Sequence, residues 1–225
     1  QIHYDDCTTL YIMSIPSNQK AKPTVDKNRL KILGANTCPM YSGKALATLH
    51  SIYISGDIQS PENYTDAFEL IRQCGENDIV KIHINSHGGD LFTAVQFMRV
   101  LKEAECSIVC SVEGACMSAA TLIFLAADQF EISDHSAFMF HNYSTRMAGK
   151  GGELYDSITF DRKWSEDMLK TEYEGLLTED EIDSVLNNKD LWFSADEMGE
   201  RLEGFVELKK KRHEEEQKNS KKDEK

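Results

Sequence analysis

The sequence predicts an α/β fold with a largely parallel sheet, and three observations carry that prediction. From His50 onward, short β-branched and aromatic runs alternate with segments of helical spacing, the pattern of strand, crossover helix and next strand. Two glycine-led junctions, at 85–90 and 114–119, fall where a strand gives way to a helix. A single long segment of helical spacing follows the last of the strands, too long to be folded wholly into so small a domain.

Residues 1–48, with "SIPSNQKAKPTVDKNR", are polar and carry two prolines within that stretch, so they predict an irregular arm. "SIYISGDI" (51–58) is a strand closed by a Gly-Asp turn. "PENYTDAFELIRQCG" opens on Pro61, carries Tyr64, Phe68 and Ile71 at helical spacing and stops at Gly75. "DIVKIHIN" (78–85) alternates as a strand does, and "GGDLFTAVQFMRVLKEAEC" (88–106) is a helix opening on a diglycine. "CSIVCSVEG" (106–114) is a third strand, followed by "EGACMSAATLIFLAAD" (113–128), small residues leading into an apolar helix. "QFEISDHSAFMFHN" (129–142) holds two short strands. A glycine loop then opens a helix over 153–174, whose Leu154, Ile158, Trp164, Met168 and Leu169 form a broken apolar stripe. A helix of that length projecting from a domain needs a partner surface, which predicts self-association. Residues 209–225, with eight Lys/Arg against five Asp/Glu, predict a disordered charged tail.

Composition narrows the function classes. Hydrophobic content of 40% against 28% charged residues is that of a globular chain able to bury a core. No apolar run approaches the ~18 residues a membrane span needs, and Gln1-Ile2-His3 lacks the basic-then-apolar plan of a signal peptide. The net charge of −13 argues against nucleic acid as the main partner. The cysteines at 7, 38, 74, 106, 110 and 116 show no metal-ligand spacing, predict no metal site and fit a reduced, cytoplasmic setting.

The chemistry concentrates in three places. Ser118 stands between small residues and an apolar helix, where it is either an N-cap or a nucleophile beside free helix amides. "INSHGGD" (84–90) ends a strand with Gly88 and Gly89, either a tight turn or an anion-binding nest. His141 follows the β-like run "FMF". Together they supply an oxyanion element, a serine and a base, the parts that acyl transfer to serine requires.

These blocks resemble a known family. "SIYISGDI", "INSHGGD", "EGACMSAATLIFLAAD", "MFHNY" and "KDLWFSADEM" occur in the order and approximate spacing of the serine peptidases of the ClpP type, the proteolytic subunit of Clp protease. The resemblance covers roughly 50–206 and implies the repeated β-β-α spiral shared by ClpP and crotonase folds, with a protruding handle helix. It implies Ser118, four residues after Gly114, as nucleophile and His141 as general base, with the amides of Gly88 and Ala119 forming the oxyanion hole. It implies a peptidase domain over 49–208, a polypeptide substrate, no cofactor, and a homo-oligomeric ring, a heptamer or a double ring. It also implies an AAA+ unfoldase ATPase as partner, since no Walker-type motif is present in this chain.

The chain departs from the family in ways that mark a divergent member, of the kind phages carry. Ser86-His87-Gly88-Gly89 replaces Ser-Pro-Gly-Gly, with His87 a solvated residue, and the position of the third triad member matches Leu186. Asp190, Asn188 and Asp183 are the replacements, Asp190 first because it is acidic and nearest "WFSA". Cys116 is a rival nucleophile two residues from Ser118, facing another way, while Ser133 and Ser136 are structural. Two further readings stand beside the peptidase: a catalytically silent ring subunit or scaffold, and a crotonase-type acyl-CoA enzyme. The latter shares the two-amide oxyanion hole and does not require the Ser118–His141 pair.

Overall fold

The computed structural model describes residues 13–14 and 47–223. Strand β1 (Met13–Ser14) is all that is described of the arm before Ala47, so the expected irregular arm otherwise lies outside the described residues. Strand β2 (Leu49–Ile58), a 3-10 turn (Pro61–Tyr64), helix α1 (Thr65–Gln73), strand β3 (Ile79–Gly89), helix α2 (Leu91–Lys102) and strand β4 (Ser107–Met117) follow as the alternation predicts. Helix α3 (Ala119–Leu125) and strands β5 (Gln129–Ile132) and β6 (Ala137–Phe140) complete the core, before helix α4 (Gly151–Tyr173). Helix α5 (Glu179–Leu186), strand β7 (Leu191–Ser194) and helix α6 (Ala195–Asp223) close the described chain.

Period-2 burial makes the sheet. In β3, Val80, Ile82 and Ile84 are buried while Lys81 and His83 between them are only partly covered. The order is β1-β5-β4-β3-β2, with β6 pairing β4 and β7 pairing β6. All pairs among β2, β3, β4, β5 and β6 are parallel; β1–β5 and β6–β7 are antiparallel. The sheet is thus largely parallel, as the sequence predicts.

One feature of this topology positions the site. Strand β4 pairs β5 along Val109–Val112 and then β6 along Ala115–Met117. The hand-over leaves the C-terminal end of β4, and Ser118 after it, beside β6 and the residue that follows it, His141.

Helix α3 is buried along its whole length, and its Phe124 packs against Phe130 of β5 and Phe138 of β6 with ring centroids 4.9 and 5.6 Å apart. Burying one such side chain contributes roughly 1.5–3 kcal/mol. Helix α4 buries Ser165, Leu169 and Tyr173 in its second half, whereas Tyr155, Ile158 and Phe160 in its first half are exposed. It therefore projects as expected, over 151–173 rather than 153–174, and ends where Gly175 takes a φ of 84°.

Two expectations need correction. Gly88 and Gly89 belong to the end of β3, because Asp90 caps α2 by accepting from the Thr93 amide at 2.7 Å. Residues 209–223, expected to be disordered, continue α6. Met198, Leu202, Phe205 and Val206 bury its inner face, Lys209 bonds the Leu125 carbonyl over the Phe205 ring, and Arg212 pairs with Glu174. Among the described residues no helix is long and apolar enough to cross a membrane.

Candidate active site

A single residue connects β4 to α3. Ser118 has φ 54° and ψ −128°, a conformation that costs a residue with a Cβ about 1–3 kcal/mol. Its neighbours hold it there: the Ser118 amide donates to the Met139 carbonyl at 2.8 Å, and its carbonyl accepts from the Thr121 amide and hydroxyl at 2.9 and 2.7 Å. The Thr121 hydroxyl also meets the Tyr173 hydroxyl at 3.0 Å, tying the turn to the base of α4. The side chain of Ser118 does not cap α3. It points instead at His141, with Oγ 2.6 Å from Nε2.

The glycines around this turn are dictated by close approach. A Cβ on Gly88, at φ 100°, would sit 2.6 Å from Ser118 Cβ and 2.9 Å from the Met117 carbonyl oxygen. A Cβ on Gly114 would lie 2.7 Å from Asn85 Oδ1, which accepts the Ala115 amide at 3.0 Å where the β3–β4 register shifts. The sequence motifs alone do not single out Asn85 and Ser86, which the structure places at this turn. Their signal is the pair of polar residues that ends the apolar alternation of β3 just before the diglycine.

Of the two oxyanion amides expected, that of Ala119 opens α3, where the helix offers it no carbonyl. That of Gly88 donates to Ser86 Oγ at 3.1 Å and must share or exchange that partner to receive another oxygen. Asp190 Oδ1 lies 3.9 Å from His141 Nδ1, with 56% of its side chain exposed. Asn188, at φ 65°, accepts instead from the side chain of Asn142, which also donates to the Leu186 carbonyl. Asp183 lies on α5, where its carbonyl accepts from Asn187.

The remaining chemistry is placed elsewhere. Cys116 is fully buried, and burial pushes its thiol well above the ordinary range, so no thiolate competes with Ser118. Ser136 donates to the Val112 carbonyl, Ser133 bonds the same oxygen through its amide, and His87 is exposed. His50, Cys74 and Asp78 place one ligand-type atom each within 4.8 Å of one another. Asp78 there accepts the Thr48 and Gly75 amides, which hold its carboxyl below its usual range, and Cys74, a free thiol, shares a hydrogen bond with the free thiol of Cys106. A cavity of about 270 Å³ opens beside Ser118 and Ala119, between the Gly89–Phe92 segment and α4.

The model of the Clp protease family matches residues 44–206. Among solved structures, a mutant of ClpP1 from Listeria monocytogenes superposes with a TM-score of 0.57 at 20% identity, covering 68% of this chain and 86% of that one. No curated protein matches the sequence. At that identity the superposition speaks for the fold alone, a mixed α/β domain of the ClpP kind, while the family match spans most of the chain from β2 into α6. This chain belongs to the Clp protease family.

Proposed function

We propose that this chain is a serine endopeptidase that cleaves extended polypeptide segments through a Ser118 acyl-enzyme. The observation that carries the reading is the Ser118 hydroxyl, held in a strained turn, turned away from its helix and set 2.6 Å from His141 Nε2. In this mechanism His141 accepts the hydroxyl proton as Oγ adds to the peptide carbonyl carbon. The oxyanion sits against the Ala119 and Gly88 amides; collapse breaks the C–N bond, and His141 returns the proton to the leaving amine. Water then repeats the sequence on the ester and frees Ser118. Asp190 is the acid that orients the imidazolium, across 3.9 Å.

Ring assembly, as a heptamer or double ring, belongs to the same proposal, as does delivery of substrate by an AAA+ unfoldase. The exposed Tyr155, Ile158 and Phe160 of α4 support self-association. A catalytically silent ring subunit is the second reading, favoured by the half-exposed Asp190 and by the Ser86 hydroxyl on the Gly88 amide.

Fluorophosphonate labelling tests the proposal, with wild type, Ser118→Ala and His141→Ala compared and the size of each species measured by light scattering. Labelling that disappears in Ser118→Ala and falls steeply in His141→Ala is the expected result. An assembled wild-type ring that takes no label refutes it and moves the silent subunit to first place.

A further inference from the structure

We propose that Asp161 makes the cavity beside Ser118 a subsite for a cationic side chain, lysine or arginine, on the acyl side of the scissile bond. The proposal rests on the peptidase reading and adds to it the class of residue cleaved after.

The cavity, about 270 Å³, has the volume of a long side chain, and one wall is an aromatic pair. Phe92, 64% exposed, stacks on Trp164 of α4 with centroids 5.2 Å apart and ring planes 21° from parallel. Such a wall offers a flat face to a guanidinium and an apolar bed to the methylenes of Lys or Arg. Asp161 lines the cavity one helical turn before Trp164, on the same side of α4. Among the described residues its carboxylate makes no hydrogen bond or ion pair. Asp90, the other acid lining the cavity, is committed to the Thr93 amide.

No Lys, Arg or His lines this cavity, and the neighbouring Arg162 is paired with Glu166 at 3.2 Å. A cation entering thus meets two carboxylates, one of them unpartnered, against aromatic faces. An acidic side chain is repelled there, and an aliphatic one strips water from Asp161 without replacing it. The second cavity at Ser118 and His141, between Leu122, Met168 and Tyr173, measures about 20 Å³ and has no room for a side chain.

The acyl side follows from connectivity. The cavity is bounded by Gly89 and Ala119, beside the two amides expected to receive the oxyanion. The carbonyl bound there is bonded directly to the Cα of the acyl residue, so that residue's side chain is the one placed to enter.

Three peptide coumarin amides, identical except for Arg, Leu or Glu before the coumarin, test this on the assembled protein, with fluorophosphonate labelling of Ser118 as a parallel readout. Arg should exceed Leu in kcat/KM by about tenfold, as a charge-assisted bond at a partly exposed site implies, with Glu slowest. Asp161→Asn should bring the Arg:Leu ratio toward one, mainly through the KM for Arg, and Asp161→Lys should raise Glu above Arg. An Arg:Leu ratio unchanged by Asp161→Asn in protein that still takes the label overturns the subsite and leaves the peptidase reading standing. Wild type that takes no label overturns both.

Discussion

Replacing Ser118 by glycine and by alanine separates the strain in the turn from its chemistry. Both variants lose the hydroxyl and the bond to His141, worth about 1 kcal/mol net. Alanine keeps a Cβ at φ 54° and with it the conformational cost of about 1–3 kcal/mol. Glycine relieves that cost, offset in part by the extra freedom of the unfolded chain, about 0.4–1 kcal/mol, and by the loss of a partly buried methyl. The difference leaves Ser118→Gly more stable than Ser118→Ala by about 1 kcal/mol. With a urea slope of about 1–3 kcal/mol/M, the midpoints should differ by roughly 0.5 M. Equilibrium unfolding followed by circular dichroism is the assay, at one fixed protein concentration because self-association shifts apparent stability. Neither variant should take a fluorophosphonate label. A midpoint for Ser118→Ala equal to or above that of Ser118→Gly refutes the strained turn, and with it the reason the hydroxyl leaves its helix.

Four further outcomes follow from the structure. Gly88→Ala puts a Cβ against Ser118 Cβ and the Met117 carbonyl; it should lose at least about 2 kcal/mol by thermal melting and abolish labelling. Gly114→Ala meets the Asn85 side chain first, rather than backbone, and should cost about 1 kcal/mol as that side chain shifts from the Ala115 amide. Asp190→Asn should lower kcat about tenfold, far less than the ~10⁶ loss that removal of a triad histidine produces, because the carboxylate is half-exposed and 3.9 Å from Nδ1; a loss as large as that of His141→Ala contradicts this. Arg201 forks onto Glu181 at 2.7 and 2.9 Å and lies over the Phe193 ring, so Arg201→Met should cost about 2 kcal/mol at neutral pH. That bond holds the Glu181 carboxyl below 4.5. Its stabilisation is therefore full above pH 4.5 and lost as pH falls through the lowered value, and denaturation midpoints of wild type and variant should converge there.

Much of the fold was readable because its strands and helices carry their own periodicity. Val80, Ile82 and Ile84 alternate, Phe68 and Ile71 share a helical face, and those patterns survive without knowledge of any partner. Strand β7 does not: "LWFS" is four residues long, and only antiparallel pairing with β6 makes it a strand. Helix α5, not among the predicted elements, does carry a local signal in "TEDE", the capping box in which Thr178 and Glu181 satisfy each other's amides. By composition alone the charge run in α6 predicts solvated disorder, because composition cannot show that Lys209 is drawn onto the Leu125 carbonyl and that Lys211 meets Glu207 one turn away.

The site was legible to the extent that it is local. Gly114, Ser118 and the diglycine lie at strand ends, where sequence spacing and chemistry coincide; the contact of Ser118 with His141 depends on β4 exchanging β5 for β6, which only the sheet reveals. Backbone register and a strained φ hold Ser118 beside His141, whereas in the proposed mechanism stabilisation of charge falls to groups with other demands on them: Gly88, whose amide serves Ser86, and Asp190, whose carboxylate faces solvent. A fluorophosphonate asks chiefly for an activated hydroxyl, while peptide turnover asks for oxyanion and imidazolium to be stabilised through two successive steps. Labelling without turnover therefore describes a subunit whose first half is built and second half unfinished, and turnover that appears only in larger species assigns the finishing to assembly.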